Sequence, residues 1–152
     1  MLTMNEKDKN EMLGAILNEN EAYQCKLWAA IMAGADTYAL IGGLSTLTGG
    51  AAAALGALSN AYCYMGVTEQ HLNMVIVNSV NVSKIENRLS LPLSNITKAE
   101  VKGGLLPGRK VVMLHFGKEK MKISLMNNAI GSDIQGQKEN VEMFCQIVSK
   151  LG

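Results

Sequence analysis

The fold is decided by a stretch that begins YCYMGVTEQHLNMVIV at residues 62–77 and continues to Leu125. Along it, runs of aromatic, aliphatic and β-branched residues alternate with polar ones and are separated by turn-forming clusters such as Thr68-Glu69-Gln70. Alternation with a period of two is typical of strands that have one face on a core and the other in solvent. The stretch therefore predicts consecutive antiparallel strands joined by tight turns.

Further strands are predicted along the same stretch, at residues 89–94, 96–102, 110–116 and 120–125. Pro92 places the first of these at an edge or a bend, because proline cannot donate a hydrogen bond to a β-ladder. In the last of them, alternate residues face a core or a wet, basic surface. The core side has Met121, Ile123 and Leu125, and the other side has Lys120, Lys122 and Ser124.

A helix is predicted near each end of the chain. The N-terminal segment, residues 1–20, contains a helix over residues 5–18, whose apolar stripe is Met12, Leu13, Ile16 and Leu17. A helix of this length is marginal alone, so its stripe must dock on the domain or on a second copy. The closing helix, residues 137–151, has a stripe of Val141, Phe144, Val148 and Leu151, bordered by Cys145 and Ile147.

A first strand is predicted over residues 21–33, ahead of the stretch that decides the fold. Its apolar residues, which include Cys25 and Leu27, alternate with a second set. That second set is Gln24, Lys26 and Trp28. Trp28 is therefore expected on the face opposite the apolar one.

Residues 37–60 form an insertion that has no charged residue and is rich in glycine and alanine. Its glycines recur seven residues apart, which fits a buried helix or helical hairpin packed on the domain or at a subunit interface. A membrane-inserting loop is the alternative. A phosphate-binding loop is disfavoured because neither a Walker lysine nor a GxGxxG pattern is present. The candidate residues of an oligomer interface are Leu40, Leu44, Leu47, Gly49, Gly50, Leu55 and Leu58.

The composition favours one globular domain over residues 1–152. The chain is 48% hydrophobic and 18% charged, which is enough to build a core without disulfides or metal. Cys25, Cys63 and Cys145 are scattered through apolar segments, as buried reduced thiols are. With no signal peptide in view, a cytoplasmic protein is expected.

No catalytic, metal or cofactor site is predicted. His71 and His115 have no partner at the spacing of metal ligands, and His115 is interpreted as a strand histidine with a satisfied ring. Ser124 and Cys63 are the candidate nucleophiles, but neither has a nearby base or an oxyanion motif. The sequence therefore favours a protein without enzymatic activity.

Basic residues are concentrated between residues 84 and 122, although the net charge of the chain is only +1. Beside an apolar hairpin tip, they are expected to attract an acidic partner or an anionic membrane. The alternative is a solvated edge strand on which lysines prevent aggregation. Nucleic acid is not expected, because Phe116 is the sole aromatic residue of this region. The candidate partner-binding or anion-binding residues are Lys98, Lys102, Leu105, Leu106, Arg109, Lys110, Lys118, Lys120 and Lys122.

Two segments of the chain resemble the bacterial pleckstrin-homology-like (PH-like) domain family. Residues 66–75 contain a Thr68-Glu69-Gln70-His71-Leu72 turn between two strands, although that family usually has a basic residue such as arginine at the position of His71. Residues 91–106 continue with a strand that runs from Pro92 to Ile96 and a Gly104-Leu105-Leu106 hairpin. The resemblance covers residues 62–151 and, with the first strand, about two thirds of the chain.

The pattern and the resemblance together imply a mainly β (α+β) fold. About seven antiparallel strands would form a small PH-like barrel or sandwich capped by the C-terminal helix, with the N-terminal helix and the insertion of residues 37–60 added. In lipid-binding members a basic loop holds phosphoinositides, and the uncharged insertion replaces it here. The resemblance therefore implies an interaction or self-assembly module that forms a homo-oligomer or binds another protein. A peripheral membrane module, using the uncharged segment or the Leu105-Leu106 loop, is the alternative.

Overall fold

The computed structural model describes residues 4–32, 60–78, 81–103, 108–117, 119–126 and 134–151. These form α1 (Glu6–Ala15), β1 (Cys25–Met32), β2 (Asn60–Val67), β3 (His71–Val77), β4 (Ile85–Pro92), β5 (Lys98–Gly103), β6 (Arg109–Phe116), β7 (Glu119–Met126) and α2 (Gln137–Ser149). Residues 37–59 of the insertion lie outside the described residues, and so do all seven candidate interface residues within them. Asn60, the last residue of the predicted insertion, begins β2.

The described strands form one antiparallel sheet in the order β4-β3-β2-β1-β7-β6-β5. Two meanders, β1 to β4 and β5 to β7, meet where β1 pairs with β7. The expected α+β architecture of about seven antiparallel strands with a helix at each end is thus confirmed.

Pro92 is the last residue of β4, which pairs with β3 alone among the described strands. This is the edge position expected of a residue that cannot donate to a ladder. The sequence alternation predicts that Leu93 continues the strand, but Leu93 instead begins a one-turn 3₁₀ helix, Leu93–Asn95. The chain turns there because the Leu93 N–H donates to Gln70 O, 2.9 Å away, which ties it to the β2–β3 turn.

The main core lies on the inner face of the sheet and is closed by α2. Alternate residues of β1, among them Leu27 and Ile31, point into it. From α2, Val141, Phe144 and Val148 enter this core with no exposed surface. Three of the four predicted stripe residues are therefore confirmed, whereas α2 ends at Ser149 and leaves the fourth, Leu151, half-buried beyond it. Burying such side chains contributes about 1.5–3 kcal/mol each.

A second apolar cluster lies on the outer face of β1 to β3, where α1 covers the sheet. Leu13 of α1 is fully buried and shares this cluster with Trp28, Tyr64 and Val75. Trp28 lies on the same face of β1 as Lys26, as the alternation predicts, but it is only 9% exposed. The reason is that α1 docks on its own domain and makes this face a second core.

Both ends of α1 are held by hydrogen bonds. Asn5 caps its N-terminus through Oδ1, which accepts from the Asp8 N–H at 2.8 Å, and the Asn5 N–H donates to Tyr64 Oη at 2.9 Å. The hydroxyl of Tyr23 donates to Leu13 O at 2.6 Å. These contacts fix the helix on the sheet, although it ends at Ala15, three residues earlier than predicted.

Gln137, the first residue of α2, replaces a missing strand partner at the point where β1 and β7 separate. Its Nε2 donates to Trp28 O and to Met126 O, both at 2.9 Å, and its Oε1 accepts from the Trp28 N–H at 3.2 Å. Gln137 is itself 5% exposed. Unpaired backbone groups are costly in a core. This one side chain supplies their hydrogen bonds and so links β1 to β7 beyond the last paired residues of the two strands.

Replacing Gln137 by leucine should lower the free energy of unfolding by about 3 kcal/mol or more, since a backbone N–H and two carbonyls would each lose a partner at a cost of at least about 1 kcal/mol. Urea denaturation followed by circular dichroism measures the change. Gln146→Leu is the matched control, because Gln146 is exposed on α2. The control should change stability by less than about 0.5 kcal/mol. Equal stability of the two variants would contradict the bridging role.

Candidate functional site

The predicted basic residues meet mainly on the outer face of the β5–β7 meander. The strand register places Lys102 opposite Val111, and Val111 opposite Ser124. Because alternate residues of a strand share a face, this alignment of Lys102, Val111 and Ser124 shows which side chains of the three strands lie on the same face. They are Lys98, Glu100 and Lys102 of β5, Arg109, Val111, Met113 and His115 of β6, and Lys120, Lys122 and Ser124 of β7.

A concavity of about 510 Å³ lies in the middle of this face. Its apolar part is half-buried and consists of Met32, Val111 and Met113. Exposed Lys102 and Lys122, with half-buried Arg109, supply its positive charge. We call it the basic concavity: its lining is Met32, Glu100, Lys102, Gly103, Arg109, Val111, Met113 and Lys122. Such an apolar base edged by cations suits a ligand that has both apolar and anionic groups.

Arg109 is the most rigidly placed cation of the basic concavity. Its Nε donates to Ser124 Oγ at 2.8 Å, and its Nη2 lies 3.9 Å from Met32 Sδ. Ser124 is 6% exposed and therefore anchors the guanidinium from below. In the part of the chain that the structure describes, Lys102, Arg109 and Lys122 form no ion pair. The remaining guanidinium N–H groups are thus available to a carboxylate or phosphate.

Glu100, the carboxylate that lines the basic concavity, is already paired. Its Oε2 lies 3.1 Å from His115 Nε2, and its Oε1 lies 3.4 Å from Lys98 Nζ. The hydrogen bond with His115 is the main cause of a lowered pKa of Glu100, followed by the contact with Lys98. The ring of His115 therefore has a partner, as interpreted from the sequence, and Glu100 is turned toward these two residues.

The remaining predicted residues lie elsewhere. Lys110 belongs to the inner face of β6 and lines a separate groove against α2, with Val101, Glu142 and Cys145. Leu105, Leu106 and Lys118 lie outside the described residues. Sequence reasoning missed Met113 and Val111 and grouped Arg109 with Lys110. The signal was available, because adjacent residues of one strand must face opposite sides of a sheet.

The candidate nucleophiles lack activation. Burial raises the pKa of the Cys63 thiol, and it raises the pKa of the Cys25 thiol to about 12. Both thiols are therefore protonated and unreactive at neutral pH. The hydroxyl of Ser124 is occupied by Arg109. Within the described ranges, no group of three or more His, Cys, Asp and Glu side chains is placed to hold a metal ion.

The second histidine belongs to a polar cluster at the β2–β3 turn. Thr68 organises this turn, because its Oγ1 accepts from the N–H groups of Gln70 and His71 at 3.1 and 2.9 Å. The same hydroxyl donates to Glu21, and His71 Nδ1 lies 3.0 Å from Glu21 Oε1. This cluster ties the turn to the segment that precedes β1. No local pattern predicts this cluster, since Glu21 and His71 are fifty residues apart.

The hydrogen bond from Thr68 is the main cause of a lowered pKa of Glu21, and His71 and Asn18 act in the same direction. Glu21 should therefore stabilise the fold fully above its usual pKa of 4.5, and this contribution should be lost as the pH falls through the lower pKa of the folded state. Glu21→Gln should lower stability at neutral pH and flatten its decline in acid. Urea denaturation at a series of pH values from neutral to acid tests the prediction, with exposed Glu19→Gln as control. An acid profile unchanged in Glu21→Gln would contradict it.

Comparisons with known proteins concern the fold. No protein-family model matches the chain, and no curated protein matches it in sequence. Among solved structures, it is similar to the hSac2 domain from the human phosphoinositide phosphatase Sac2, with 12% identity and a TM-score of 0.51, over 91% of this chain and 74% of that one. A DUF1696 family protein with a pleckstrin-homology domain from Shewanella loihica is also similar, with 16% identity and a TM-score of 0.45, over 97% of this chain and 96% of that one.

The chain has a PH-like fold, as the sequence resemblance implied. Two antiparallel meanders joined through β1 and closed by a C-terminal helix make up its scaffold. Among the described residues, no helix combines the length and the apolar character that a membrane crossing requires.

Proposed function

We propose that this protein is a non-enzymatic interaction module that binds an acidic segment of a partner protein in the basic concavity. The observation that carries the proposal is that Lys102, Arg109 and Lys122 surround an apolar base without forming an ion pair among the described residues. Like charges are gathered at a cost in self-repulsion, which an anionic partner would offset. Arg109 supplies the geometry that a carboxylate accepts best.

Protection of an edge strand does not account for these cations. β5 lies at the end of the sheet order, so edge protection can explain Lys98 and Lys102. Arg109 and Lys122 lie on β6 and β7, which have a neighbour on each side. Their positive charge therefore has no role in blocking an exposed edge, and binding of an anion explains it better.

A peripheral membrane module remains the second reading of the same residues. Lys98 and Lys120 share the outer face with the basic concavity, and each basic residue near an anionic surface contributes about 1 kcal/mol. The concave shape favours a protein segment, because a flat bilayer would meet the rim lysines and leave Arg109 and the apolar base below them uncontacted.

Charge reversal of the three cations tests the proposal. The triple variant Lys102→Glu, Arg109→Glu, Lys122→Glu should bind a fluorescein-labelled oligoglutamate peptide about tenfold or more weakly than the native chain, because attraction becomes repulsion. Fluorescence anisotropy at low and at high salt measures the affinity, and the native affinity should fall with salt.

The matched control reverses three exposed lysines away from the basic concavity: Lys84→Glu, Lys138→Glu, Lys150→Glu. It changes the net charge equally and should retain most of the affinity. If both triple variants lose binding alike, the peptide senses overall charge and the site is wrong. Co-sedimentation with phosphatidylserine vesicles distinguishes the peripheral membrane module from the peptide-binding module. Tight binding to vesicles without binding to the peptide would favour the membrane module.

Self-assembly through the insertion is a further candidate. The stripe of α1 is occupied on its own sheet, so the interface would have to come from the residues between β1 and β2. Met32 and Asn60, the last residue of β1 and the first of β2, lie side by side in the β1–β2 ladder. The connection that contains the uncharged segment therefore begins and ends at neighbouring positions of the sheet.

Static light scattering of the detergent-free protein should then give the mass of a discrete oligomer. Gly49→Glu should return it to a monomer, because a carboxylate would be buried in an apolar interface at high cost. Lys138→Glu is the control and should leave the mass unchanged. A monomeric native chain would rule out self-assembly.

A further inference from the structure

A smaller hollow of about 200 Å³ adjoins the basic concavity. It lies where β1 and β7 begin to separate, over the pair formed by Ala30 and Ser124. These two small residues are surrounded by larger ones, which leaves a depression above them. We call it the aromatic hollow: its lining is Trp28, Ala30, Met32, Tyr62, Arg109, Ser124 and Met126.

Two aromatic side chains form one wall of the aromatic hollow. The rings of Trp28 and Tyr62 meet edge to face with their centroids 6.2 Å apart. Tyr62 is 40% exposed, which is unusual for a large apolar side chain of this protein. The buried Trp28 Nε1–H has no hydrogen-bond acceptor among the described residues. A buried donor without a partner is uncommon in a folded protein.

Arg109 and Met32 belong to both cavities and join them into one site. The hydrogen bond from Arg109 Nε to Ser124 fixes the guanidinium at the boundary between them. An apolar group in the aromatic hollow would therefore lie beside a cation whose remaining donors suit a carboxylate. The two cavities together fit neighbouring groups of one ligand.

We propose that the ligand is a peptide segment in which one large apolar or aromatic residue is flanked by acidic residues. The apolar side chain fills the aromatic hollow, the adjacent carboxylate binds Arg109, and further acidic residues lie along Lys102 and Lys122. This inference rests on the proposed function and specifies its ligand. A free lipid fits less well, since the hollow has the size of one side chain and is closed below by Ala30 and Ser124.

Trp28 is the only tryptophan of the chain, so its fluorescence reports directly on the aromatic hollow. The full chain is titrated with two synthetic peptides, Glu-Glu-Phe-Glu-Glu and Glu-Glu-Ala-Glu-Glu, neither of which has indole fluorescence. The phenylalanine peptide should bind about tenfold more tightly, from burial of its ring. It should also shift the Trp28 emission, whereas the alanine peptide should leave it unchanged.

Filling or opening the hollow should remove this preference. Ala30→Leu fills its base, and Tyr62→Ala removes an exposed part of its wall, so the second variant keeps the test valid if the first does not fold. In either folded variant the two peptides should bind with equal, weak affinity. The triple charge reversal should weaken both peptides.

The outcomes separate this inference from the proposed function. If both peptides bind the native chain equally and the charge reversal weakens both, the basic concavity is a binding site but the aromatic hollow is not its anchor pocket. If neither peptide binds, and phosphatidylserine vesicles do, a membrane is the partner and the inference is overturned. If the phenylalanine preference survives both Ala30→Leu and Tyr62→Ala, the apolar residue binds elsewhere and the inference also fails.

Discussion

Strand β1 has to pair with two neighbours that diverge from each other. It pairs with β2 along all eight of its residues, but with β7 at three, Ala30 to Met32. Complete pairing on both sides would hold the two meanders side by side, whereas early separation lets them turn around a shared core while they remain one sheet. The separation leaves backbone groups of β1 without strand partners. Two side chains of α2 satisfy them, Gln137 at Trp28 and Asn140 at the Lys26 N–H.

The same separation determines where the candidate site lies. On the inner face, α2 closes the gap between β1 and β7. On the outer face, α1 packs against β1 to β3 and covers Tyr64 and Val75, whereas Tyr62 stays exposed two residues away along β2. The aromatic hollow therefore lies between the part of the sheet that α1 covers and the basic face of β5 to β7. One structural constraint, the divergence of two strands, thus sets the positions of the polar bridge and of the candidate site.

The sequence pattern predicted which side chains are buried where the pattern repeats within a single strand or helix. The alternation of Met121, Ile123 and Leu125 and the helical spacing of Val141, Phe144 and Val148 each repeat within one element, and the structure buries all six. The burial of Trp28 could not be predicted in this way. Its environment depends on α1, whose weak apolar stripe gives no indication of which strand face it covers. Gln137 looked like an ordinary polar residue at a helix start, and its role depends on Trp28, 109 residues away. The basic residues were found from composition, but their grouping required the register that joins β5, β6 and β7.

The net charge of +1 conceals an uneven distribution of charge, because basic residues are concentrated on the outer face of β5 to β7. Lys102 and Lys122 are exposed, and exposed charges mainly raise the rate at which a partner of opposite sign arrives. Arg109 is held by Ser124 beside an apolar hollow, and a partly buried guanidinium of fixed direction discriminates among partners by geometry. Glu100 would oppose both effects if it faced the concavity alone, but its contacts with His115 and Lys98 hold it to one side. In the proposed site the lysines would therefore supply attraction, and Arg109 beside the aromatic hollow would supply the selectivity that attraction alone lacks.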